Sequence, residues 1–191
     1  KEDLDLLKSE LKAREERVNE LEKIINDKDQ AVAELKQKVI DALRGFENKG
    51  LTVEERNGKV YVSLEAKLLF SSGSIVVDSK GKSALVKLAK VLEENIEVNI
   101  LVEGHTDTDK YHGTTGGIKD NWDLSVLRAT SVVKILKENS TISPDRITAA
   151  GRGEFAPVDP ADTEDAKKKN RRIEVILTPK LDELFKLLES N

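Results

Sequence analysis

The sequence predicts an α/β sandwich preceded by a long coiled-coil helix. The composition changes near Gly45, because residues 1–44 hold 22 charged residues and no glycine, proline or aromatic residue. Before that point apolar residues recur at heptad spacing, and after it strand-like alternation and helical spacing follow one another. We therefore predict a coiled-coil helix over 1–44, a linker over 45–50, an α/β domain over 51–179 and a short helix over 180–191.

The first 44 residues have the pattern of a coiled coil. Ten of twelve seam positions in six heptads are apolar, which is typical of a helix that pairs with another helix. β-branched residues at four a positions and leucine at three d positions favour a parallel homodimer. A helix that folds back against its own domain is the alternative. The a positions are Leu4, Leu11, Val18, Ile25, Val32 and Val39, and the d positions are Leu7, Arg14, Leu21, Lys28, Leu35 and Ala42.

The first half of the domain predicts a β-hairpin followed by a helix. Residues 51–56 and 59–70 alternate apolar and polar side chains, and Asn57-Gly58 between them is a strong signal for a two-residue hairpin turn. Residues 78–94 then have apolar side chains at helical spacing.

The second half predicts three strands and one more long helix. The strands are expected over 98–103, 146–150 and 172–177, and a helix follows Asn121, which is expected to cap it. Pro179 is expected to close the last strand and to begin the final helix. This order is a βαβαβ core with an N-terminal hairpin, so we expect partly parallel pairing with helices on one or both faces of the sheet.

The bulk composition excludes several classes of function. A net charge of −4 argues against nucleic acid as the main partner, because phosphate binding needs an excess of lysine and arginine. The absence of cysteine excludes disulfides, thiol catalysis and cysteine-ligated metals. No apolar run is long enough to cross a membrane, and the chain does not begin with Met. We expect membrane attachment only through a segment that this chain lacks.

The candidate site lies where strands end and helices begin. Phe70 follows the second strand-like run, Asp107 follows the third, and the helix that starts at Asn121 includes Arg128. Ligands of α/β sheets tend to bind at such positions. Asp107 can accept a hydrogen bond from an ammonium group, and Arg128 can donate two to a carboxylate. The set suits an amino-acid zwitterion, although each residue taken alone also suits an ordinary salt bridge.

Four motifs resemble a known family. They are GHTD at 104–107, NxxLSxxRA at 121–129, GRGExxP at 151–157 and NRRIE at 170–174. In this order they resemble the OmpA-like C-terminal, peptidoglycan-associated domain. The long loop at 108–120 makes the chain similar to flagellar motor protein B and related outer-membrane proteins. This loop could close over the glycan or simply be flexible, and we expect it to be flexible.

The resemblance implies a function that is not enzymatic and needs no cofactor. It implies non-covalent binding of peptidoglycan through the meso-diaminopimelate of the stem peptide, which tethers the outer membrane or an envelope complex to the cell wall. A periplasmic location and attachment of the full-length protein to the outer membrane follow from it. Asp107 would take the amino group of diaminopimelate, and Arg128 its carboxylate. The remaining expected pocket residues are Phe70, Thr106, Asn121 and Leu124.

Other readings stay open. The chain could serve mainly as an oligomerisation or scaffold module, with wall binding secondary. A metal-dependent cell-wall hydrolase would need a zinc site, for which His105, Asp107, Asp109 and His112 are the candidates. Their spacing matches no standard site, so we expect no metal. Arg171 and Arg172 could add positive charge near the site or form structural salt bridges.

Overall fold

The computed structural model describes residues 2–112 and 117–180. The predicted helix over 180–191 therefore lies outside the described residues, apart from Lys180, and so does the middle of the loop at 108–120. The described elements are α1 (Glu2–Ala42), β1 (Leu51–Arg56), β2 (Lys59–Glu65), α2 (Ala66–Leu69), α3 (Ser79–Glu94), β3 (Val98–His105), α4 (Asn121–Glu138), β4 (Ile147–Gly151), α5 (Glu164–Asn170) and β5 (Arg172–Pro179). None of the described helices is long and apolar enough to span a membrane.

Five strands form one mixed sheet in the order β1-β2-β5-β3-β4. β3 and β4 pair in parallel, and the other three pairs are antiparallel. Helix α4 connects the two parallel strands and packs against both, while α3 lies beside α4. The α/β sandwich and the partly parallel pairing are confirmed.

The N-terminal hairpin forms as predicted, but its second strand is shorter. Asn57 and Gly58 have φ values of 52° and 69°, which a two-residue turn between right-twisted strands requires. β2 ends at Glu65, and the chain turns into α2 instead of continuing to residue 70. The strand-like alternation stops there, because Leu68 and Leu69 are adjacent and both buried. Alanine, lysine and leucine are also strong helix formers.

The start of one strand and an additional short helix also differ from the prediction. β4 begins at Ile147, because Arg146 belongs to a short 3₁₀ turn and its guanidinium donates to the carbonyl oxygens of Val98 at 2.9 Å and Asn95 at 2.6 Å. Helix α5 was not predicted. Thr163 caps it by accepting a hydrogen bond from the N–H of Ala166 at 3.2 Å. A capping threonine is a local signal for a helix start, but α5 is too short and has too few apolar residues to show helical spacing.

Helix α4 lies unusually close to β3. A Cβ atom on Gly104 would stand 2.1 Å from the carbonyl oxygen of Ser125, and one on Gly151 would stand 2.7 Å from the N–H nitrogen of Val126. Only glycine permits backbone-to-backbone packing at this distance. The approach brings the first turn of α4 next to the carboxyl end of β3, which is where the candidate site lies.

The long helix α1 divides into two parts. Near its end, Val32, Leu35, Val39 and the following Leu43 are at most 3% exposed and belong to the core of the domain, where α1 packs against β1, β2 and α3. The last two heptads therefore pack on the chain's own domain, as in the alternative above. Most apolar seam residues of the earlier heptads are exposed: Leu4, Leu7, Leu11, Val18 and Ile25 are each at least 50% exposed, whereas Leu21 is half-buried. The division of the chain at residue 44 stays a prediction.

Candidate functional site

The six predicted site residues line one cavity at the carboxyl end of β3. Its volume is about 670 Å³. The segment before α3, the end of β3, the first turns of α4 and the residue before β5 form its walls. We call it the site cavity. Its lining includes Phe70, Thr106, Asp107, Asn121, Leu124 and Arg128, and also Ser71, Asp109, Tyr111, His112 and Arg171.

Asp107 is buried and held from several sides. One carboxylate oxygen accepts a hydrogen bond from the N–H of Asp109 at 3.1 Å, and the other forms an ion pair with the Arg171 guanidinium. The hydroxyl of Thr106 donates to the carbonyl oxygen of Asp107 at 3.0 Å. Arg171 is thus a site residue that was weighed from the sequence but not assigned. The feature of the sequence that could have indicated this role is the position of Arg171 directly before the last strand.

Arg128 presents part of its guanidinium to the site cavity. Its Nε donates to the carbonyl oxygen of Ser74 at 2.9 Å, and the guanidinium lies 4.9 Å from the centre of the Phe70 ring. The two terminal nitrogens form no hydrogen bond to any residue that the structure describes. Burial lowers the pKa of Arg128, and the nearby charge of Asp107 opposes this lowering. The side chain is a positioned donor fork.

Asn121 does not cap α4, which corrects the prediction. The cap is Asp120, whose carboxylate accepts a hydrogen bond from the N–H of Asp123 at 3.0 Å. The side-chain nitrogen of Asn121 instead lies 3.0 Å from the carbonyl oxygen of Asp109 and 2.6 Å from a carboxylate oxygen of Glu154. Asn121 therefore joins the loop after β3 to the loop after β4.

Two further polar groups shape the cavity wall. The ammonium of Lys167 lies 2.8 Å from Asp109 and 3.1 Å from Asp162, and its hydrogen bonds to these carboxylates raise the pKa of Lys167. The charge of Asp109 is thus already paired. The hydroxyl of Tyr111 is buried and has no hydrogen-bond partner within the described ranges, a state that normally costs about 1–3 kcal/mol unless a ligand or water supplies the partner.

The four candidate zinc ligands do not converge. In the part of the chain that the structure describes, the acidic and histidine side chains that bring three ligand atoms within 4.8 Å of one another are Glu103, His105 and Glu174. They lie on the sheet face opposite the long helices. Arg172 pairs with Glu174 at 2.9 Å, and Arg152 lies 3.7 Å from Glu103. Two guanidinium groups would therefore compete with any metal ion there.

His105 is enclosed by this network of charges. Its Nε2 lies 3.2 Å from Glu103 and 3.9 Å from Glu174. Burial lowers the pKa of His105 from 6.5 to about 4, with a further contribution from Arg172. The imidazole is therefore neutral at pH 7. Arg172 forms a structural salt bridge, which was one of the two roles weighed for it.

Comparisons with known proteins agree with this architecture. The profile of the OmpA family matches residues 69–171, just over half of the 191 residues. Motility protein B of Bacillus subtilis is 29% identical over 119 residues, which cover 62% of this chain and 45% of the relative. The probable lipoprotein YiaD of Escherichia coli is 30% identical over 142 residues, or 74% of this chain and 60% of the relative. The chain thus spans about half the length of these relatives.

Solved structures share the fold. A MotB-like protein from Desulfovibrio vulgaris superposes with a TM-score of 0.74 and 25% identity, covering 84% of this chain and 99% of that one. The cell wall anchor of the type VI secretion system (T6SS) of Pseudomonas aeruginosa superposes with a TM-score of 0.65 and 26% identity, covering 74% and 97%.

Proposed function

Because this chain belongs to the OmpA family, we propose that it binds peptidoglycan in the periplasm and tethers an envelope structure, the outer membrane or a complex in it, to the cell wall. Binding is non-covalent and uses the meso-diaminopimelate of the stem peptide. The similar fold of a cell wall anchor from Pseudomonas aeruginosa supports this role. The observation that carries the proposal is that one cavity combines a buried carboxylate, Asp107, with a buried guanidinium, Arg128.

The charges of the cavity match the end of a diaminopimelate side chain, where one carbon bears both an ammonium and a carboxylate. The terminal nitrogens of Arg128 form no hydrogen bond within the described residues, so they can donate to the carboxylate as a fork. Asp107 can accept from the ammonium while Arg171 holds it in position. Phe70 and Leu124 offer apolar surface for the methylene groups.

Electrostatics favours a ligand with a carboxylate over a simple cation. Arg171 already pairs with Asp107, and Lys167 already pairs with Asp109. Arg128 is the buried charged side chain of the cavity whose terminal N–H groups have no hydrogen-bond partner among the described residues. A carboxylate that meets Arg128 therefore gains a charge-assisted hydrogen bond and breaks no existing ion pair.

The proposal is tested by co-sedimentation with two kinds of sacculi. One kind has diaminopimelate in its stem peptides, and the other has lysine, which lacks the second carboxylate. We expect the native chain to prefer diaminopimelate sacculi. Arg128→Gln and Asp107→Asn should each weaken that binding at least about 30-fold, since removing one partner of a buried charged pair costs about 2–5 kcal/mol.

Matched controls exist on the exposed surface. Arg44→Gln and Asp145→Asn make the same chemical changes at exposed side chains remote from the cavity and should leave binding unchanged. Equal binding of the native chain to both kinds of sacculi would refute the diaminopimelate assignment. Failure to bind either kind would refute wall binding altogether.

A second part of the proposal concerns the exposed half of α1. Its six apolar seam residues keep the heptad spacing over four heptads, and five of them have at least half of their surface exposed. A second copy of the same helix supplies the matching surface, so we propose that the protein is a homodimer through this half. A dimer would hold two wall-binding sites on one rod, which raises overall affinity without any new contact.

Two exposed leucines distinguish dimerisation through the heptad seam from non-specific hydrophobic association. Leu11 lies in the seam and Leu6 outside it, and they are 58% and 62% exposed. We expect Leu11→Ser to shift the sedimentation equilibrium towards monomer and Leu6→Ser to leave it unchanged. A native chain that sediments as a monomer at all concentrations would rule the dimer out.

A further inference from the structure

An exposed pair of stacked aromatic rings includes Trp122, which directly follows Asn121, a lining residue of the site cavity. The rings of Trp122 and Phe155 lie 5.3 Å apart with an interplanar angle of 24°. Trp122 is 48% exposed and Phe155 66% exposed, and Val126, about one helical turn after Trp122, is also exposed. Large aromatic rings are normally buried, and an exposed apolar patch beside a polar cavity marks an interaction surface.

The pair is held by a turn that is hydrogen-bonded to two lining residues of the cavity, Thr106 and Asn121. The carbonyl oxygen of Gly153 accepts a hydrogen bond from the N–H of Thr106 at 2.9 Å, and its N–H donates to the hydroxyl of Ser125 at 3.1 Å. Glu154 accepts from Asn121 at 2.6 Å. A Cβ atom on Gly153 would lie 3.5 Å from one ring of the pair and 3.6 Å from the other. The rings therefore rest on a fixed turn.

The surface left open by the stacking suits one kind of ligand. One face of each ring meets its neighbour, so the exposed area belongs to the outer faces and edges. A flat apolar surface of this kind can pack against the C–H face of a sugar ring, while the hydroxyl groups of the sugar stay in water. In peptidoglycan each stem peptide is attached to such a sugar. Diaminopimelate lies a few residues from it, at about 3.5 Å per extended residue.

We propose that Trp122 and Phe155 form a stacking platform for a sugar ring of the glycan strand whose stem peptide occupies the site cavity. This inference rests on the proposed function and adds a second point of contact to it. Trp122 directly follows Asn121, a lining residue of the cavity, and Phe155 directly follows Glu154, whose carboxylate accepts a hydrogen bond from Asn121. The sugar and the peptide of one peptidoglycan unit would thus meet adjoining parts of the protein.

The test compares two soluble ligands. One is a disaccharide–peptide fragment of diaminopimelate-type peptidoglycan, and the other is the same stem peptide without sugar. Trp122 is the single tryptophan of the chain, so its fluorescence reports directly on the platform. We expect the sugar-bearing ligand to quench or shift this fluorescence and to bind roughly threefold to tenfold more tightly than the free peptide, in line with the strength of aromatic stacking.

Substitution of Phe155 should abolish this advantage. Phe155→Ala should bind both ligands with the affinity that the native chain has for the free peptide, and Phe155→Tyr should restore the difference. Ile96→Ala is the matched control, because Ile96 is 62% exposed and precedes β3 at the opposite end of the sheet. It should behave like the native chain.

The outcomes separate the two proposals. If the free peptide binds and the sugar adds nothing, the platform is refuted while the proposed function stands. If Phe155→Ala weakens both ligands equally, the ring has only a structural role and the platform is again refuted. A change of oligomeric mass in Phe155→Ala would assign the pair to a protein interface instead. If neither ligand binds the native chain, the proposed function fails and the platform with it.

Discussion

The neutral His105 makes the stability of the fold depend on pH. Its side chain is 2% exposed, and burial lowers its pKa from 6.5 to about 4. In the unfolded chain it takes up a proton near pH 6.5, whereas the folded chain does so only near pH 4. The unfolded state therefore binds more protons in this window, and stability falls as the pH falls. Above about pH 6.5 the imidazole is neutral in both states, so the stability of the fold no longer depends on its protonation.

The size of the effect follows from the two pKa values. A drop from 6.5 to about 4 corresponds to about 3 kcal/mol, at about 1.4 kcal/mol per pKa unit. Between pH 8 and pH 4.5 the expected loss is about 2–3 kcal/mol. Glu103 works in the opposite direction, because burial raises its pKa and the folded state therefore takes up its proton first. Arg152, Arg172 and Glu174, which also face the ring, are present in every form compared.

The assay is urea unfolding of the native chain and of His105→Gln between pH 8 and pH 4.5. The variant lacks the titrating group and keeps Glu103, so the difference between the two curves isolates His105. We expect the native chain to lose about 2–3 kcal/mol more than the variant over this range. Parallel curves would show that the imidazole takes up a proton in the folded state as readily as in the unfolded state, which would refute the argument.

Three further substitutions, one of them with a control, test the packing and the cap of α4. Gly104→Ala should destabilise the fold by about 3 kcal/mol, because the new Cβ meets the backbone of Ser125, and unchanged urea unfolding would contradict the close approach of α4. Val39→Ala should lower the free energy of unfolding by about 2 kcal/mol, whereas Val76→Ala, at a side chain that is 73% exposed, should change it by less than about 0.5 kcal/mol; equal losses would argue against the docked half of α1. Asp120→Ala should lower the free energy of unfolding, measured with urea, by about 1 kcal/mol through loss of the helix cap. An unchanged free energy of unfolding would show that Asp120 does not stabilise the start of α4.

Local periodicity accounts for the elements that the sequence predicted. Alternation with period two and the Asn57-Gly58 turn predicted the hairpin, and helical spacing predicted α3 and α4. Sequence also predicted that Asp107 and Arg128 would share a site, since a strand end and the start of the following helix meet at one edge of an α/β sheet. Their common cavity agrees with that expectation. Their role as ligands stays a prediction.

Tertiary structure decided which packing and hydrogen-bonding partners each side chain has within the chain. The sequence determined that α1 has an apolar stripe, but apolar burial is non-directional and any apolar surface within reach can satisfy it. Val39 therefore packs on the sheet layer although its heptad position equally suits a second helix. In the same way, Arg171 meets Asp107 across 64 positions of sequence, and Asn121 bonds two loops instead of capping its helix. A residue type specifies which contacts a side chain can make, and only the approach of distant segments decides which of them forms.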